Sequence, residues 1–181
     1  EAVAVCTASH GGETFHVAAA KSILAAAGLG ESQLACGPHP PMHAPSAEAL
    51  RAGGGTPGRI HNNCSGKHAG LMAFTAGQRW PVEGYHLASH PTELRVLATL
   101  ARWMEVRPTD IGLAVDGCGL PTYALPLDAV ARGCARFAAA ASDGDPAPAR
   151  IVGAMTRHPE FVAGTDRLCT DLMRAARGSL F

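Results

Sequence analysis

His61-Asn62-Asn63-Cys64-Ser65-Gly66-Lys67-His68-Ala69-Gly70 leads into the apolar stretch that Gly77 closes, and its reading decides the fold. The block predicts a loop carrying functional residues that turns into a helix over Ser65–Ala76. Cys64 and Lys67 are three apart, so one helical turn puts them on the same face. A helix N-terminus also favours a thiolate there. Gly66-Lys67 looks like the end of a phosphate-binding loop. That motif needs glycine at position 61 and Ser or Thr after the lysine, where His61 and His68 stand, so the phosphate reading fails.

On either side of this block the pattern is mainly helical. Helices are expected over Glu13–Ala27, with Val17, Ile23 and Leu24 inward, over Ser32–Cys36 and over Pro91–Val106. In the last, Leu94, Leu97, Ala101 and Met104 share one face. Gly37–Gly58, rich in proline and glycine, reads as a long lid or dimer arm holding one short helix, Ser46–Arg51. Ile111–Val115 reads as a strand. Helices are then expected from Asp128 to Ala140, Ala149 to Arg157 and Asp166 to Arg177, with a flexible loop over Ala141–Pro148. Residues 1–8 are apolar and of ambiguous type. Helices outnumber the two or three strands, which predicts a single α/β (α+β) domain over residues 1–181.

The chain has 181 residues, 47% hydrophobic and 17% charged, which excludes a disordered tail or a coiled coil. Fifteen basic and fifteen acidic residues balance, so there is no electrostatic footprint for nucleic acid or an anionic membrane. No apolar run approaches the ~20 residues a bilayer needs. The six cysteines lack a Cys-x-x-Cys pair and are read as reduced thiols of a cytoplasmic protein, with Cys6, Cys36, Cys134 and Cys169 in the core. Only Lys21 and Lys67 are lysines, against thirteen arginines. A lysine kept in such a chain points to chemistry that guanidinium cannot do.

Two further stretches carry reactive groups. Ala8-Ser9-His10-Gly11-Gly12-Glu13 either presents a hydroxyl beside backbone N–H donors, as acyl transfer needs, or simply starts a helix. Asp116-Gly117-Cys118-Gly119-Leu120-Pro121 follows the strand and is either a site loop or a tight turn with a buried cysteine. Two cysteines and a lysine make a candidate three-ligand metal site that leaves the fourth position open. His39, His43, His86 and His90 read as surface or loop histidines.

Ala8-Ser9-His10-x-Gly12-Glu13-x-x-His16, His61–His68 and Asp116–Pro121, in that order, resemble the Rhizobium etli-type (thermolabile, class 3) L-asparaginase II family along the whole chain. The resemblance implies hydrolysis of L-asparagine to L-aspartate and ammonia by a homodimer whose fold is similar to serine β-lactamases and glutaminases. It implies a Zn2+ ion held by Cys64, Lys67 and Cys118, Ser9 as one of two active-site serines, and Asp116 beside substrate and metal. His10, Asn63 and His68 are the other expected substrate-binding residues. The family's Ser-x-x-Lys pair and a second lysine are expected outside these 181 residues, so the domain is read as partial and the chain alone as inactive. A non-catalytic zinc-binding relative and a glutaminase-like amidohydrolase are the alternative readings.

Overall fold

The computed structural model describes residues 9–176, so the expectations for residues 1–8 and for Cys6 lie outside the described residues. Helices dominate: α1 (Thr14–Ala26), α2 (Ala44–Ala52), α3 (Ser65–Gly77), α4 (Pro91–Met104), α5 (Leu127–Ser142), α6 (Pro146–Arg157), α7 (Pro159–Val162) and α8 (Leu168–Ala175). One antiparallel hairpin, β1 (Gly112–Val115) and β2 (Pro121–Ala124), pairs Gly112 with Ala124 and Val115 with Pro121. The described architecture is α+β.

The core sits between α1 and α3. Ala20 and Leu24 of α1 meet Ala69 and Met72 of α3, with Leu34, Cys36, Ile60, Tyr85 and Leu120 closing the cluster from the loops. Val17 and Ile23 pack partly buried against it, as the periodicity predicts. Cys64 and Cys118 belong to the same cluster. The two expected metal-ligand cysteines are therefore held by the packed centre of the molecule.

Local signals explain most element ends. His90 caps α4, its ring Nδ1 accepting from Thr92 N–H at 3.1 Å while Pro91 opens the helix. Gly28 adopts φ +70° just beyond α1, a conformation that costs glycine nothing. Four expectations need correction. Leu94 points outward at 52% exposure, and α4 buries Thr92 and Glu93 instead. Cys134 and Cys169 are exposed, because α5 packs through Ala129 and Gly133 and α8 through Thr170 and Met173. The expected loop over Ala141–Pro148 is half helix. Asp145 caps α6 by accepting from Ala147 N–H, and Pro146 takes the first helical position, where it loses no hydrogen bond. Ser32–Cys36 holds only a 3-10 turn, Glu31–Gln33.

The proline-rich segment is packed rather than free. Pro41 is buried, and His43 N–H donates to Gly11 O at 2.9 Å. Between it and α1 lies a cleft of about 480 Å³ bordered by Gly12, Val17, Pro41, Ser46, Leu50 and His61. Among the described residues no helix is long and apolar enough to cross a membrane.

Candidate functional site

Cys64 is the N-cap of α3, and Asn62 fixes it there. The Asn62 side chain accepts from Cys64 N–H at 2.9 Å and donates to Gly37 O at 2.9 Å. One turn on, Lys67 leaves the same helix face. From the opposite side the hairpin loop presents Cys118. The loop is closed by Asp116 N–H donating to Leu120 O and by Gly119 N–H donating to Asp116 O. Gly119 supplies the turn's φ of +91°. The tight turn and the site loop are thus one feature.

Cys64, Asp116 and Cys118 bring a ligand atom each to within 4.8 Å of one another, a group able to hold a metal ion. Lys67 Nζ donates to Asp116 Oδ2 at 3.2 Å, Cys118 Sγ–H to the same oxygen at 3.4 Å, and Gly117 N–H to Oδ1 at 2.7 Å. The Gly117 N–H and then Lys67 hold the Asp116 carboxyl below its usual range. Burial pushes the Cys118 thiol up. On Lys67, burial pulls the pKa down, but Cys64, Cys118 and Asp116 outweigh it, and the net shift is upward. The ammonium form is therefore favoured here, and Asp116, already an anion, converges with the thiols ahead of the lysine nitrogen.

The donor set fits zinc. Two thiols and a carboxylate are zinc ligand types, tetrahedral ligands at ~2.0–2.3 Å stand about 3.3–3.8 Å apart, and the three ligand atoms here lie within 4.8 Å of one another.

The Ser9 turn lies beside this group, because His10 N–H donates to Asn63 O at 3.1 Å. Ser9 is exposed, with φ +61°. His10 is 3% exposed, and burial followed by His16 lowers its pKa to about 4. Its Nδ1 accepts from Gly12 N–H at 3.1 Å, and its Nε2 accepts from Gly66 N–H at 3.4 Å and pairs with Ser65 Oγ at 3.2 Å. Both ring nitrogens are thus engaged by Gly12, Ser65 and Gly66 rather than by Ser9. Gly11 N–H donates to Ala163 O at 2.8 Å, so both glycine donors are engaged within the chain and form no oxyanion hole. Glu13 caps α1, and its carboxylate accepts from Thr165 N–H and Thr165 Oγ1–H, both at 2.7 Å.

His68 is fully buried on α3, its Nδ1 paired with Tyr85 OH at 2.5 Å. Asn63 serves the site through its main-chain carbonyl. Asn62, Ser65 and Tyr85 were not singled out from sequence. The first two lie inside the quoted block, where polar density was the available signal. Tyr85 had none, since its role depends on a contact seventeen residues away from His68.

A family model described as L-asparaginase II matches residues 1–181, and the chain belongs to that family. No curated protein matches it significantly.

Proposed function

We infer that this member of the L-asparaginase II family hydrolyses L-asparagine to L-aspartate and ammonia at the site built on α3 and the β1–β2 hairpin loop. The observation that carries the reading is the convergence of Cys64, Asp116 and Cys118, with Lys67 on Asp116, in a chain the family model matches from end to end. The three quoted motifs support the Rhizobium etli-type (class 3) subfamily, and with it a β-lactamase/glutaminase-like fold, one domain over 1–181, a homodimer and a cytoplasmic setting.

Cys64 and Cys118 would hold Zn2+, with Lys67 or Asp116 as the third ligand. The metal would supply Lewis-acid polarisation of a substrate oxygen. Asp116 needs no deprotonation to ligate, whereas Lys67 must first lose a proton that its surroundings favour. Ser9 is the nucleophile this chain offers, exposed on a left-handed turn next to the group. Its base has to be a residue other than His10. His10 supports the site by holding the turn against Ser65 and Gly12, and Asn63, His68 and Asp116 are the residues proposed for substrate contact.

Ammonia release from asparagine and from glutamine, measured beside zinc content, tests the reading. Asparagine turnover with stoichiometric zinc is expected once the Ser-x-x-Lys pair and second lysine are supplied, and little turnover from residues 1–181 by themselves. Faster turnover of glutamine would replace it with a glutaminase-like activity, and zinc without turnover of either amide would leave a metal-binding relative.

A further inference from the structure

His10 and His16 are both buried, and their rings stack with centroids 4.7 Å apart and planes 19° from parallel. Both hold the same turn. His10 Nδ1 accepts from Gly12 N–H and His16 Nδ1 from Glu13 N–H at 3.3 Å, so two successive amides end on two stacked imidazoles. At its other nitrogen His16 meets the Glu160 carbonyl oxygen of α7 at 3.2 Å. A carbonyl only accepts, so His16 carries its hydrogen on Nε2 and is neutral in this arrangement.

His16 cannot take a proton and keep these contacts. Its one lone pair is on Nδ1, and a proton there sets N–H against the Glu13 N–H. It would also leave a charge on a ring that is only 4% exposed.

The charged and titratable groups around His16 come from several elements. Glu13 lies at the same end of α1, and His43, at the start of α2, stands 3.7 Å from the Glu13 carboxylate. Glu160 of α7 is itself engaged by His158 and by Arg174 of α8. From α3 the stack meets Ser65 Oγ and the Gly66 N–H. Burial lowers both histidine pKa values, and Glu13 and Glu160 offset it in part at His16 alone. The first proton therefore goes to His16.

On its outer side the turn is tied to residues 163–165, through Gly11 N–H on Ala163 O and the Glu13 carboxylate on Thr165. A Cβ on Gly164 would stand 2.6 Å from Glu13 Oε1 and 3.4 Å from His16 Cε1, so this segment lies directly on both side chains. A protonated Nδ1 needs an acceptor, and the anion beside it is the carboxylate that Thr165 already uses. We propose that His16 is an acid-sensitive latch: a proton on its Nδ1 expels the Glu13 N–H, draws the Glu13 carboxylate from Thr165, and frees the Ser9–Glu13 turn together with residues 163–165. The latch itself needs no substrate. Where Ser9 acts as the nucleophile proposed above, its opening switches turnover off reversibly in acid.

The test follows the ring ¹⁵N signals of His10 and His16, with amide hydrogen exchange, from pH 7 towards 4 in the wild-type protein and in His16→Asn. Asparagine keeps an acceptor where Nδ1 stood and cannot take a proton. In the wild type the His16 ring should be the neutral Nε2–H tautomer at pH 7. As it becomes protonated, the Gly11, Gly12, Glu13 and Thr165 amides should lose roughly tenfold more protection than those of α5, after correction for intrinsic rates. In His16→Asn the two losses should match. Should that variant not fold, the wild-type curves decide, since ring and amides must titrate together. A His16 ring that stays neutral to pH 4, or one that protonates while the four amides keep their protection, overturns the latch. The same selective loss in His16→Asn overturns it too and moves the acid response to His10. A latch that behaves as expected in a protein without asparagine turnover at neutral pH stands, and only the asparagine reading falls.

Discussion

Asp116 gathers the Lys67 ammonium, the Cys118 thiol and the Gly117 amide on its two oxygens, so one carboxylate organises the whole group. Removing a thiol should empty the metal site. Zinc affinity is expected to fall more than about 100-fold in Cys64→Ala or Cys118→Ala, beyond the 10–100-fold of an outer-shell partner, with zinc read by elemental analysis. Stoichiometric zinc in either variant would remove the cysteines from the ligand set. Asp116→Asn and Lys67→Arg then identify the third ligand: guanidinium has no lone pair to give, so whichever variant loses zinc names it. A separate residue-level consequence concerns His10, whose folded pKa of about 4 lies below its unfolded value of 6.5. Protons then bind the unfolded chain more strongly, so stability is full above pH ~6.5 and falls as pH drops towards 4. The loss amounts to roughly 3 kcal/mol. Urea unfolding across that range should show it, and His10→Gln should flatten the slope. An unchanged slope in His10→Gln would mean the ring titrates normally.

The start of α1 and the segment after α7 are joined by one side chain. Glu13 accepts twice from Thr165, and Gly11 N–H donates to Ala163 O, so the Ser9–Glu13 turn is pinned on the side away from α3. Burial raises the Glu13 pKa, but the Thr165 hydrogen bonds, with His43 and His16, bring it below the usual value, so the carboxylate is charged and fully used. Glu13→Ala strands Thr165 N–H and should cost ~1–3 kcal/mol. Hydrogen exchange locates the effect: protection of the Thr165 and Gly11 amides should drop while α4 and α5 keep theirs. Equal protection at Thr165 in the variant would show that the segment docks without this contact. Gly12 is intolerant for a different reason, its φ of +69° and the His61 carbonyl oxygen 2.9 Å from where a Cβ would stand.

Because Cys64 is the N-cap of α3 and Cys118 sits in the middle of the hairpin loop, a metal bound between them would link two parts of the molecule that otherwise meet through Leu120 and the core. Binding to the folded state alone stabilises by about 2.7 kcal/mol at one hundred times the dissociation constant. For a chain of this length that corresponds to a rise of about 5–10 °C in Tm on adding zinc. The rise should vanish in Cys118→Ala. A zinc-independent Tm in a protein that binds the ion would mean that the unfolded chain holds it equally well.

Helix α3, the cysteine–lysine spacing and the Asp-Gly-Cys-Gly turn were legible in the sequence, because each depends on neighbours within a few residues: periodicity, glycine at a turn, one helical turn between Cys64 and Lys67. The family followed from those same short blocks. What the chain could not disclose locally were the pairings between distant residues. Whether His10 faces Ser9 or Ser65 is settled by the packing of the turn on α3, fifty-five residues away. Leu94 kept the right period but lost its place inside to Glu93, whose partner Tyr123 sits on the hairpin. Tertiary structure likewise brought Asp116 to the two thiols and left Lys67 as its ion-pair partner, since burial and the sum of surrounding charges exist only once the chain is folded.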